Sequence, residues 1–109
     1  MEIPELVFDK ECKNLYHIYL FLIEDKWWGF GHSAHYLSMI YPKLEAVEVK
    51  NEDTDESIPC VCVSEHCLMN LSDYYDTLAS DAYIQVSAPP TVYCYWKEYG
   101  NWCHQLTVC

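Results

Sequence analysis

Residues 15–24, LYHIYLFLIE, are apolar at odd and even positions alike. A strand with one wet face alternates, whereas one covered on both faces does not. The run therefore predicts a central strand, and its β-branched and aromatic content favours strand over a short buried helix. Glu24-Asp25-Lys26 is a polar break, after which 27–31 (WWGFG) resumes an extended run, so a hairpin is expected. Ser33 is placed to cap a helix over 34–41, with Ala34, Leu37 and Ile40 or Tyr41 on one face, stopped by Pro42. Residues 44–50 read as a strand with Val47 and Val49 inward and Glu48 and Lys50 outward. A polar acidic loop follows over 51–57, then a strand over 59–63.

A second helix is expected over about 71–79, with Ser72 as cap and Asp73 in its first turn, at the positive end of the helix dipole. Leu71, Tyr74 or Tyr75, and Leu78 would form its buried stripe. Residues 82–88 make another strand with Ile84 and Val86 inward. After Pro89-Pro90, segments 91–97 and 102–108 read as strands joined across Tyr99-Gly100-Asn101, a strong turn signal. Strands linked by short turns, with two short helices, predict an α+β fold. A mainly antiparallel sheet of five to seven strands would fill a single domain spanning residues 1–109.

Length and composition agree with a globular chain. It has 109 residues, 51% hydrophobic and 21% charged, enough for one real core. The charge changes the picture more. The formal net charge is −11, and all six basic residues are Lys. Arg is the preferred side chain for forked recognition of phosphate, and a groove tracking a nucleic-acid backbone needs several cations to displace counterions. Direct nucleic-acid binding is not expected, and anionic membrane surfaces are disfavoured on the same ground. The start of the chain has no basic segment, and 15–23 is too short to span a bilayer. Seven cysteines, an odd number, fit a reducing cytoplasm with thiols mostly buried better than a closed set of disulfides.

The segment 60–67, CVCVSEHC, is the densest candidate for chemistry. In a strand Cys60 and Cys62 share a face, and Cys-x-Cys followed by His66-Cys67 is not the spacing by which a tight turn folds ligands onto zinc. Structural thiols are the expectation, and a metal site on Cys60, Cys62, His66 and Cys67 the alternative. The pairs His66-Cys67 and Cys103-His104 are read as extended, which sends each Cys and its neighbouring His to opposite faces. No Cys-x-x-Cys and no nucleophile–base pair is legible, so neither catalysis nor a cofactor is expected. Gly29-Phe30-Gly31 before Ser33 is a faint phosphate-cradle pattern, set against crowded packing in a strand. His32 and His35 are spaced for a metal at a helix start, set against ordinary helix-end histidines.

The clearest asymmetry is acidic. Glu45, Glu48, Glu52, Asp53, Asp55 and Glu56 face a single Lys50, and Asp73 and Asp76 follow in a stretch with no basic residue from 51 to 95. These carboxylates, with Tyr75 as an aromatic anchor, are the expected partner-binding residues. The expected partner is a basic protein, one whose nucleic-acid-binding surface such a face could occlude. Phage-encoded anti-CRISPR and other anti-defence inhibitors work in this way, and an immunity protein or antitoxin could look the same.

Overall fold

The computed structural model describes residues 3–51 and 56–108. The chain runs α1 (Glu5–Glu11), β1 (His17–Ile23), β2 (Lys26–Phe30), α2 (His32–Ile40), β3 (Ala46–Lys50), β4 (Ser57–Val63), α3 (Glu65–Tyr74), β5 (Thr77–Ala79) and β6 (Ile84–Ser87). It then forms α4 (Pro90–Tyr93), a 3-10 turn (Trp96–Glu98), α5 (Tyr99–Cys103) and β7 (Thr107–Val108). The strands form one sheet in the order β5-β6-β1-β2-β4-β3-β7, antiparallel throughout except that β7 joins β3 in parallel. The fold is α+β in a single compact domain. No helix among the described residues is long and apolar enough to cross a membrane.

The double-sided pattern of β1 is explained by what covers it. Ile18 and Leu20 point into the larger core, where α2 and α3 contribute Ala34, Tyr36, Leu37, Cys67 and Leu71. Phe21 points the other way, into a second cluster with Phe30, Ile58, Cys60 and Val7 of α1. Thus α1, which the hydrophobic pattern did not announce, supplies the cover for the second face. The β1–β2 turn has only two residues, Glu24 (φ 53°) and Asp25 (φ 65°), both in the left-handed region that a tight hairpin requires.

Both glycines of Gly29-Phe30-Gly31 have a packing reason. A Cβ on Gly29 would come within 2.6 Å of Leu37 Cδ1, so the buried Leu37 side chain of α2 fills the space that glycine leaves on β2. Gly31 precedes α2 at φ +59° and ψ −128°, and a Cβ there would press on the Glu11 side chain at 3.2–3.3 Å.

Four expectations are corrected. Ser33 does not cap α2. It lies inside the first turn, and Gly31 is the N-cap. The second helix begins earlier than 71, because Ser64 caps it by accepting from the Cys67 amide at 3.1 Å, while Ser72 bonds back to the Met69 carbonyl. It ends at Tyr74, so Leu78 falls in β5 and is 67% exposed, and Tyr74 is 74% exposed. His66 and Cys67 are helical rather than extended. The C-terminal hairpin is replaced by α4, the 3-10 turn and α5. Pro90 sits at the first helical position, where its missing N–H costs nothing, and Tyr99-Gly100-Asn101 opens α5 instead of turning a hairpin. Only Thr107–Val108 pairs as a strand.

The thiols are also less buried than expected. Cys60 and Cys67 are buried and Cys103 is half-buried, but Cys12, Cys62 and Cys94 are exposed. Burial pushes the Cys67 and Cys103 thiols up, away from the reactive thiolate. Alkylation of the native protein followed by peptide mapping should label Cys12, Cys62 and Cys94 first, and Cys60 and Cys67 only on unfolding. Early labelling of Cys60 would contradict its place under α1. Replacing Gly29 or Gly31 by Ala should each destabilise by about 1–3 kcal/mol in urea unfolding, the first by overpacking, the second by strain. A neutral result at Gly29 would mean the β2–α2 contact is looser than described.

Candidate functional site

The expected partner-binding residues fall into two groups. Glu45 is exposed just before β3, and Glu56 is exposed just before β4. Glu48 is half-buried on β3, on the side of the sheet that carries α5, rather than pointing outward. Glu52, Asp53 and Asp55 lie outside the described residues. Asp73 and Asp76 are exposed at the end of α3 and before β5, at the other side of the sheet, and Tyr75 is half-buried against the main core. From β5 to β3 is five strand steps, about 24 Å at the usual spacing. The two groups therefore do not make one face.

Nor does the cysteine-rich stretch converge. Cys60 and Cys62 lie on the α1 side of β4, and Cys67 packs into the opposite core from α3. Among the described residues no three His, Cys, Asp or Glu side chains are grouped to hold a metal ion. His32 and His35 instead pack against α5: His32 stacks on Tyr99 at 4.0 Å between ring centres, and His35 lies 4.9 Å from Trp102. The Nδ1 atoms of both are buried without a hydrogen-bond partner. Burial holds both imidazoles below their usual range. For His35 the neighbouring His32 adds to this, while Glu98 pulls the other way.

What the sequence did not reveal is a buried carboxylate at the start of α2. Glu11, 6% exposed, accepts from the Ser33 amide at 3.1 Å and from the Ser33 hydroxyl at 2.6 Å. The Asn14 side-chain amide donates to it at 3.2 and 3.4 Å, and the His32 amide is a further donor. The anion site that a helix amino end offers is thus filled by the chain's own side chain, where the phosphate-cradle reading would have placed a ligand. Burial pushes Glu11 up to about 7 despite these donors, which pull the other way. No sequence signal marks it, since a single Glu ending a short helix looks like a solvated one.

Two open clefts meet beside this cap and share Cys12, His32 and Tyr99. The first, about 620 Å³, is acidic, with Glu11 and Glu56 in its wall beside Phe8 and Ser57. The second, about 570 Å³, is basic, with Lys13 and Lys97 in its wall and, among the described residues, no Asp or Glu. The chain therefore presents opposite charges on either side of the His32–Tyr99 stack.

The shifted groups set the pH dependence of stability. Glu11 has its folded value raised from 4.5 to about 7, so its contribution is complete below pH 4.5 and is lost as pH rises through 7. His32 and His35 are lowered from 6.5, so theirs is complete above that value and is lost as pH falls. The two oppose each other. Glu11→Gln should remove the first, and the wild type should lose up to about 3 kcal/mol relative to the variant between pH 4.5 and 7. Urea unfolding across that range tests this, and a constant difference would mean Glu11 is ionised throughout.

No protein-family model, no curated protein and no solved structure matches this chain.

Proposed function

We propose that this chain is a protein-binding protein of the cytoplasm that occludes the basic, nucleic-acid-binding surface of a target. It would act by binding and not by catalysis, in the way of phage anti-CRISPR and anti-defence inhibitors. The observation that supports this reading is the paired β3–β4 hairpin that carries exposed Glu56. The Asn51 amide donates to the Glu56 carbonyl at 2.7 Å, closing a hairpin paired over five residues. A carboxylate held on such a hairpin, as Glu56 is, loses less freedom on docking than one on a free tail. Exposed Glu56 stands at the closed end of this hairpin and also lines the first cleft, while exposed Glu45 stands at the hairpin's other end.

The separation of Asp73 and Asp76 from this surface sharpens the test. Their distance exceeds the screening length of ~8 Å at physiological salt, so they add little to the field at the β3–β4 edge. The partner is first captured by pull-down with mass spectrometry, and association is then followed across a salt series. Changing Asp53, Asp55 and Glu56 together to Ser should slow association by about tenfold and flatten its salt dependence. Changing Asp73 and Asp76 to Ser should leave both unchanged. An association rate indifferent to salt and to the triple substitution would leave the acidic segment as a solvated loop.

A further inference from the structure

We infer that the second cleft is a binding site for an aromatic anion of the nucleoside monophosphate class. The first ground is charge. Two of the chain's six lysines, Lys13 and Lys97, line this cleft, and among the described residues no Asp or Glu does. In a chain of net charge −11, that is the reverse of the surrounding surface. Of the nearby carboxylates, Glu11 is bonded within the α2 cap and Glu98 accepts from Asn101, so the two ammonium groups are the charges of the cleft wall itself, and more distant carboxylates are screened over about a Debye length. Lysines are point-charge partners for phosphate, and a pair suits a monoester dianion.

The second ground is the aromatic wall. Trp96 is 43% exposed, and Tyr99 lines the cleft with one face stacked on His32. An exposed Trp held by a short helical turn is a stacking platform for a planar base, and base–aromatic stacking tolerates any base. Lys97 Nζ stands 5.7 Å from the Trp96 ring centre, so the cation and the stacking surface are within one nucleotide of each other. Inorganic phosphate would use only the lysines and a nucleoside only the rings. A ligand that carries both engages the whole cleft.

The third ground is size. At about 570 Å³ the cleft lies within the ~300–1,000 Å³ of small-molecule sites. His32, in its wall, has a buried Nδ1 with no hydrogen-bond partner. That atom is itself closed to solvent, so His32 serves the cleft by backing the Tyr99 ring and not as a hydrogen-bonding group for the ligand. This site is independent of the acidic β3–β4 edge, and either can stand without the other.

The test is calorimetric titration of the full chain with adenosine, guanosine, cytidine and uridine 5′-monophosphates, with adenosine and inorganic phosphate as partial probes. Saturable binding of at least one monophosphate is expected, at least about tenfold tighter than the matching nucleoside or phosphate. Lys13→Gln with Lys97→Gln should weaken it about tenfold or more and remove its salt dependence, and Trp96→Leu should weaken it about tenfold. All three side chains are exposed, so far-UV circular dichroism should show an intact fold. Absence of saturation at millimolar monophosphate, or affinity unchanged in the double lysine variant, overturns the proposal. Saturation by an acidic, Tyr-containing peptide but by no nucleotide would also overturn it, and would make the cleft a protein-docking surface.

Discussion

A carboxylate buried against the amino end of a helix is the constraint around which this fold is organised. Glu11 ends α1, which covers one face of the sheet, yet its side chain satisfies donors at the start of α2, which covers the other. The bond therefore wraps the lower end of β1 and β2 and fixes the two covering layers relative to each other. Ser33 extends the arrangement. Beyond the last β1–β2 pair, Leu20–Gly29, it accepts from the Tyr19 amide at 2.8 Å while donating to Glu11. Asn14 completes it by bonding both backbone groups of His17. Every member of the set has a partner, which is the condition under which a buried polar network specifies a core instead of weakening it.

That network also decides what lies beside it. Gly31 suits its place because the backbone stands at positive φ, and a Cβ there would also press on the Glu11 side chain. With the amino end of α2 filled, the His32 and His35 rings are turned to α5, where Tyr99 and Trp102 receive them. α5 in turn places the 3-10 turn, with Trp96 and Lys97, beside the α1–β1 connection that carries Lys13 and Leu15. The acidic and basic clefts are thus the two sides of one packing event. Charge segregation of this kind is invisible in a net charge of −11, which sums over geometry.

Much of the sheet was legible in the sequence because its signals are local. The absence of alternation in 15–24 announced a strand covered on both sides, and the polar break at 24–26 announced the hairpin. Pro42 ended α2, and Ile84 and Val86 point inward on β6 as expected. The helix over 71–79 was misplaced because Ser72-Asp73 and Ser64-Glu65 are equally good capping pairs, and only the docking of Cys67 and Leu71 on the sheet chooses between them. The C-terminal segment was misread for a related reason. Its Tyr, Val and Trp residues favour strand, but His32 and His35 offer a half-buried aromatic surface that a helical α5 covers.

The candidate sites divide in the same way. Composition by itself determined that cations are scarce and that acid is concentrated around 45–56, because these are counts along a chain. It could not determine that Asp73 and Asp76 stand five strands away from that acid, or that Lys13 and Lys97, 84 positions apart in sequence, share a cleft. Nor could it distinguish Glu11 from sixteen other carboxylates, since what sets it apart is a helix end brought to it by the sheet. Local patterns fix which segments extend and which face is apolar, through side-chain periodicity. Proximity between distant segments is fixed only when those faces are buried together, and the chemistry of this protein depends on that proximity.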